Sequence, residues 1–230
     1  LYTDDAHVNA AEFMTAMYQY LQKAGVKFWL NTDVTGFETA NGRVNKVITS
    51  TGDLDVEELV IANGSWMQQI SKQLGIYMPM QPGKGYSLVY NPLEKNLLHP
   101  AILVDDRTAT TPVDRWLRIG GTMELSGHSD NILPKRVTAI YNNFKKYYPT
   151  MNLPEPDMSK AWYGYRPVSP DGMPYIGRHS KYSNLSYAGG HAMIGMTAAA
   201  GTGQLIKEIV GHEKTAFDLY AFRPDRFRIH

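Results

Sequence analysis

The chain has 230 residues, with 23 basic and 22 acidic side chains, a formal net charge of +1 and no cysteine. The balanced charge, without a long basic cluster, argues against a nucleic-acid partner, and the lack of cysteine excludes disulfides, zinc–thiolate sites and thiol catalysis. No apolar run approaches the roughly 18 residues of a membrane-spanning helix, so we expect no transmembrane segment.

The first predicted element is an amphipathic helix. Asn9 and Glu12 have the spacing of a capping box. Apolar residues then recur at i, i+4 spacing from Phe13 to Ala24, and Gly25 suits the end of a helix. The segment 26–30, "VKFWL", predicts a short strand directly after it.

Residues 34–64 predict a meander of strands. Asn41-Gly42 is a strong hairpin signal, and Thr51-Gly52-Asp53 indicates a second turn. The segment "ELVIANG" is expected to close the meander with a buried strand that runs into a turn at Gly64.

Beyond residue 78 the sequence predicts strands separated by turns, then a helix over 134–149 whose apolar stripe runs from Val137 to Tyr148. A strand, "NLSYAGG", and a last helix over 196–210 follow. Together these elements predict a mixed α/β fold, with parallel strand–helix units at both ends and a mostly antiparallel middle.

Several stretches, taken in order, resemble the glycine/D-amino-acid oxidase family of flavoenzymes and, within it, the D-amino-acid dehydrogenase branch. They are "VIANGSW" (60–66), "PGKGYSLVY" (82–90), "RIGGTMELSG" (118–127), "YGYRPVSPDGMPYIG…NLSYAGGHAMIGMTAAAGTGQLI" (163–206) and the closing "FRPDRF" (222–227). The resemblance implies FAD as cofactor and part of a Rossmann-like FAD-binding domain in residues 1–78 and 160–230. It also implies a substrate domain with an antiparallel or mixed sheet in residues 79–159.

The family begins with a G-x-G-x-x-G turn that grips the FAD pyrophosphate, and this sequence has no such fingerprint. "GTGQL" (201–205) follows the start of a helix rather than a strand. We therefore expect the fingerprint upstream of Leu1 and expect this chain by itself to be inactive. Whether it holds FAD by itself stays open.

The resemblance implies oxidation of a small D-amino acid by hydride transfer to flavin, giving a 2-oxo acid and ammonia. A glycine, sarcosine or hydroxyproline oxidase of the same family is the alternative, and a non-catalytic module that binds no flavin is another. The electron acceptor, oxygen or a quinone, is open. We expect a cytoplasmic protein or one held peripherally at the inner face of the membrane.

The residues matching the family's substrate site begin with Arg166, in a G-x-R-P pattern. An arginine fork binds both oxygens of a carboxylate, whereas a lysine ammonium is a point charge, and Pro167 favours extended backbone at the preceding residue. From the residues alone, an ion pair between Arg166 and an internal acid such as Asp171 is the alternative.

The resemblance also places tyrosines at the substrate. Tyr86 matches a position that lines the active site, where its hydroxyl would assist Arg166, and a core tyrosine is the alternative. Of Tyr163 and Tyr165, we expect one to face the pocket and the other to pack. His191 is a third candidate catalytic residue beside Arg166 and Tyr86, with a packing role as the alternative.

Flavin contacts are implied in two regions. Glycines at 189 and 190 permit close approach of backbone to a flat ring, and a helix N-terminus near residue 196 suits negative charge on the flavin. The implied cofactor-binding residues are Val34, Asn63, Gly64, Trp66, Gly190, Gly195, Met196 and Thr197. Structural turns, a core valine and a tightly packed helix are the alternatives, and no histidine spacing indicates a metal site.

Overall fold

The computed structural model describes residues 4 and 6–227, which form two compact units. Unit 1 comprises the described residues up to Asn31, with Tyr86–Thr122 and Asn131–Tyr163. Unit 2 comprises Thr32–Gly85, Met123–Asp130 and the described residues from Gly164 onward. The division into functional domains at 1–78, 79–159 and 160–230 stays a prediction.

Helices and strands are mixed along the chain, as the predicted fold class requires. The helices are α1 (Ala10–Lys23), α2 (Met67–Gln73), α3 (Pro134–Tyr147) and α4 (Gly195–Val210). The strands are β1 (Val34–Ala40), β2 (Arg43–Thr49), β3 (Leu54–Asp55), β4 (Leu59–Ile61), β5 (Gln81–Tyr90), β6 (Ala101–Leu103), β7 (Thr108–Val113), β8 (Trp116–Glu124), β9 (Trp162–Val168), β10 (Tyr175–Arg178) and β11 (Leu185–Gly189). None of the described helices is long and apolar enough to cross a bilayer.

The described strands form three sheets, ordered β1-β2-β3, β10-β11-β4 and β6-β7-β8-β5-β9. The first contains the predicted hairpin, since β1 pairs antiparallel with β2 and both turn residues, Asn41 and Gly42, have positive φ. The prediction that "ELVIANG" closes this meander is wrong, because β4 pairs in parallel with β11 in the second sheet. Ile61 of β4 shares a buried apolar cluster with Leu185 and Tyr187 of β11, and this burial determines its partner.

Unit 1 has its core between α3 and the strands β5 and β8. Its buried residues are Tyr86, Leu88, Tyr90, Leu117, Ile119, Val137, Ile140, Tyr141, Phe144, Leu153 and Ala161. The predicted apolar stripe of α3 is confirmed from Val137 to Phe144, whereas Tyr147 at the last turn is exposed.

The start of unit 1 departs in part from the sequence predictions. α1 begins as predicted, because Asn9 Oδ1 accepts a hydrogen bond from the Glu12 amide at 3.4 Å. None of its residues is buried by the rest of the described structure. The prediction of a strand at 26–30 is wrong, because these residues form no strand in the structure. An extended segment becomes a strand only by pairing, and the described residues offer it no neighbouring strand.

Unit 2 has a second core, formed by Val44, Ile61, Met67, Leu74, Ile76, Met78, Met80, Tyr175, Tyr182, Leu185 and Tyr187. One polar side chain at its edge joins three segments of the unit. Asn184 is fully buried, accepts from the Val44 amide at 2.9 Å, and donates to the carbonyls of Val44 at 2.7 Å and Glu57 at 3.0 Å.

We expect Asn184→Ala to lower the free energy of unfolding by about 2–4 kcal/mol, because it removes the side-chain partner of the amide and carbonyl of the buried Val44 and one of the donors to the Glu57 carbonyl. Urea denaturation of the purified protein measures this. Asn45→Ala, at an exposed position of β2, is the control and should change the value by less than about 0.5 kcal/mol. Equal effects of the two substitutions would contradict the role given to Asn184.

Candidate functional site

Arg166 lies on β9, and its guanidinium covers the backbone of Gly85 on the neighbouring strand β5. A methyl group on Gly85 would overlap Nη1 and lie 2.6 Å from both Cζ and Nη2. On the same side of β5, a methyl group on Gly83 would lie 3.0 Å from Met123 Sδ and from Val168 Cγ2. The side of β5 that carries Gly83 and Gly85, called here the glycine face, therefore gives the half-buried guanidinium its space.

Asp171, the acid that the sequence offers as an alternative partner for Arg166, is bound by another arginine. Arg226 donates from Nε to Oδ2 at 2.8 Å and from Nη2 to Oδ1 at 3.0 Å. Oδ1 also accepts from the Met173 amide at 3.0 Å and from the Ser169 hydroxyl. Both oxygens of the Asp171 carboxylate are thus engaged by a two-point interaction with Arg226.

The strand of Arg166 is joined to the glycine-containing loop that follows β11. The Ala192 amide donates to the Pro167 carbonyl at 2.9 Å, and Val168 and His191 form an isolated antiparallel bridge. Gly190 at the start of this loop has φ of 81°, a conformation that favours glycine. The backbone therefore places the loop beside the residues that follow Arg166.

This loop leads into the N-terminus of α4. No side chain of the described residues caps the helix at Ile194, and its first turn contains no acidic residue. The first amides of a helix have no acceptor within the helix. The N–H groups of Gly195, Met196 and Thr197 thus form a donor-rich end that carries partial positive charge.

His191 lies between this loop and the body of α4. Its Nε2 is 2.8 Å from Thr202 Oγ1, and burial lowers the pKa of the imidazole. The neutral ring therefore ties the loop to the helix. Its assignment as a catalytic residue stays a prediction.

Tyr165 fixes a second loop, residues 125–130. Its hydroxyl donates to the Ser129 carbonyl at 2.6 Å and accepts from the Ser129 amide at 2.8 Å. Lys84, which is fully buried, donates from Nζ to the same carbonyl at 2.5 Å. Side chains of the sheet thus bind both the N–H and the carbonyl group of Ser129.

The loop presents His128 to Trp66. The two rings are stacked with centroids 4.8 Å apart and an angle of 16°, and Tyr165 approaches both rings edge-on. His128 Nε2 also lies 3.0 Å from Ser65 Oγ. Trp66, predicted as a cofactor contact, thus packs against the rings of His128 and Tyr165 while 48% of its surface stays exposed.

The remaining predicted residues occupy varied positions. In unit 1, Tyr86 is buried in the core, with its hydroxyl 3.5 Å from the Asn131 carbonyl, and Tyr163 packs half-buried against the same cluster. In unit 2, Val34 is exposed at the start of β1 and Gly64 begins a 3-10 turn with φ of 58°. Asn63 Oδ1 is buried without a hydrogen-bond partner among the described residues.

Sequence reasoning missed Gly85, Lys84, His128 and Ser129, although the first two lie in one of the stretches that carry the resemblance and the last two directly follow another. The alternation Gly83-Lys84-Gly85 in a strand was an available signal, because it puts two glycines on one face and a lysine on the other. The loop residues gave no comparable signal.

Comparison with known proteins places the chain among flavoenzymes. Residues 1–209 match the family model described as FAD dependent oxidoreductase (DAO). The chain is 32% identical over 229 residues to D-amino acid dehydrogenase of Bradyrhizobium diazoefficiens and 35% identical over 217 residues to that of Vibrio vulnificus. These alignments cover 98% and 92% of this chain but 52% and 51% of the relatives. The chain therefore spans about half the length of these relatives.

Solved structures show the same fold. Glycine oxidase from Geobacillus kaustophilus superposes with a TM-score of 0.84 at 24% identity, over 97% of this chain and 60% of that one. Glycine oxidase from Bacillus cereus gives 0.79 at 27% identity, over 94% of this chain and 60% of that one. The described structure is therefore a large part of the fold found in these oxidases.

The pairing of Asp171 with Arg226 generates a pH prediction. Hydrogen bonds from the Arg226 guanidinium are the main cause that lowers the pKa of Asp171. A folded pKa below the unfolded value of about 3.9 means that the pairing stabilises the protein above that pH. This stabilisation is lost as the pH falls through the folded pKa.

We therefore expect wild type and Asp171→Asn to differ most in unfolding free energy near neutral pH, and the difference to shrink below about pH 4. Urea denaturation between pH 7 and pH 3 measures it, with the exposed Asp53→Asn as control. If the difference in unfolding free energy between wild type and Asp171→Asn stays constant over this range, the charge of the Asp171 carboxylate does not stabilise the folded protein.

Proposed function

This chain belongs to the DAO family of FAD-dependent oxidoreductases, and we propose that the natural full-length protein oxidises the C–N bond of a small D-amino acid. The products would be a 2-oxo acid and ammonia, formed when the imino acid meets water. The D-amino acid dehydrogenases to which most of the chain aligns support this substrate class.

One observation carries the proposal. Arg166 lies on β9, and the two residues that follow it, Pro167 and Val168, contact the loop that enters α4. A planar fork can bind both oxygens of a substrate carboxylate and so fix its position in two dimensions. Because Asp171 is engaged by Arg226, it is not available to bind this fork. Arg166 would bind and orient the substrate, which is the protein's main task in a cofactor enzyme.

The residues present fit a flavin. The uncapped N-terminus of α4 offers the amides of Gly195, Met196 and Thr197 to an acceptor that gains negative charge. The buried Asn63 Oδ1 lacks a donor among the described residues, as expected of a side chain that meets a ligand. When bound, FAD supplies hydride acceptance from the substrate α-carbon.

The alternatives inside and outside the family are separable by experiment. A glycine, sarcosine or hydroxyproline oxidase would use the same arginine, so substrate screening against D- and L-amino acids and these amines distinguishes them. A non-catalytic module would be colourless and take up no added FAD. Oxygen and quinone acceptors are compared by running the assay with each and with an artificial dye.

We expect Arg166→Ala to raise KM for the D-amino acid by roughly 30-fold or more, because loss of one partner of a buried charge interaction costs about 2–5 kcal/mol. Arg166→Lys should restore only part of the affinity, since the fork is absent. Dye-coupled kinetics on the full-length protein measure KM, and flavin absorbance reports cofactor content.

Arg115→Ala is the matched control, because Arg115 is an exposed arginine of unit 1. It should leave KM unchanged. Unaltered KM in Arg166→Ala protein with normal flavin content would refute the assignment of the substrate carboxylate to this residue.

A further inference from the structure

We propose that Gly85 is a positioning residue that directs Arg166, and that the glycine face exists to hold the guanidinium against the sheet. The proposal deepens the function proposed above and rests on it. It assigns to Gly85 a role that acts through the side chain of Arg166.

Arg166 occupies the space into which a side chain at position 85 would project. The three atoms nearest to a methyl group at this position are Nη1, Cζ and Nη2, all from the same guanidinium. The fork therefore lies over the α-carbon of Gly85 at a distance that no other amino acid permits there.

Backbone conformation does not explain glycine at this position. Gly85 lies within a regular strand and is not among the glycines with positive φ. Any residue could adopt its backbone angles, so the requirement for glycine is one of space. A glycine in the middle of a strand lowers the stability of that strand. Glycine at this position therefore requires a compensating benefit elsewhere in the molecule.

The obstacle to a side chain at Gly85 is movable. A methyl group there meets the far end of a flexible arginine, whereas one on Gly121 would lie 2.8 Å from the backbone carbonyl of Arg107. We therefore expect Gly85→Ala protein to fold normally and to resolve the overlap by moving the guanidinium. A small displacement of a two-point carboxylate contact is enough to weaken substrate binding strongly.

The position of each residue along β5 determines which side of the strand its side chain occupies. Side chains alternate along β5, so Lys84 between the two glycines projects to the other side, where it holds Ser129. Arg166 and Val168, two residues apart on β9, both contact the glycine face. The glycine face thus receives Arg166 and Val168 from one face of β9 and Met123 from β8, and Arg166 is the charged side chain among them.

A double-mutant cycle on the full-length protein tests the proposal. Wild type, Gly85→Ala, Arg166→Ala and the double variant are compared for KM and kcat with the D-amino acid and a dye acceptor. Gly36→Ala is the matched control, because it adds a methyl group to another strand of unit 2 at an ordinary contact of 3.4 Å from Ile48 Cδ1.

We expect Gly85→Ala to raise KM about tenfold or more, with a smaller effect on kcat and an unchanged thermal midpoint. In the Arg166→Ala background the same substitution should change KM less than about twofold, because the group it displaces is gone. Gly36→Ala should leave both constants unchanged.

Each failure has its own signature. If the wild type does not oxidise the D-amino acid, the proposed function is refuted. If Arg166→Ala leaves KM unchanged, the assignment of the substrate carboxylate to Arg166 is refuted, and the positioning role with it. If Arg166→Ala raises KM but Gly85→Ala does not, or if the two effects multiply in full, the positioning role is refuted. If neither the Gly85→Ala protein nor the double variant folds, the claim that only a movable side chain opposes the methyl group is refuted.

Discussion

The contact between the Arg166 guanidinium and the backbone of Gly85 is the constraint on which the interpretation of this molecule depends. A guanidinium has five donors in one plane, so its usefulness in recognising a carboxylate depends on the orientation of that plane. On a flexible side chain that orientation is lost unless packing restricts it. Here one side of the group lies against the glycine face of β5, where Gly83 and Gly85 have no side chains.

The rest of unit 2 supports that contact from two directions. Beyond Pro167, backbone hydrogen bonding attaches the strand to the loop that enters α4, and His191 ties the loop to the helix through Thr202. On the other side of β5, Lys84 and Tyr165 hold the Ser129 peptide. Among the predicted residues of this unit, Tyr165, Arg166, Gly190 and His191 therefore lie on segments that hydrogen bonds join to one another.

Local patterns predicted most elements of the fold, because caps, turns and helical stripes depend on residues a few positions apart. They failed for residues 26–30 and for β4, where the pairing partner decides and lies far along the chain or is absent from the described residues. At the site, the resemblance identified Arg166 from its motif. Gly85 could not be assigned a role in this way, because its contact arises only when β5 and β9 are aligned in one sheet.

The most direct test is a crystal structure of the full-length protein with a carboxylate ligand that cannot be oxidised. The account predicts that both carboxylate oxygens lie about 2.7–3.0 Å from guanidinium nitrogens of Arg166, with the guanidinium still covering Gly85. A ligand bound elsewhere, or an Arg166 side chain rotated away from β5 with the ligand in place, would contradict it.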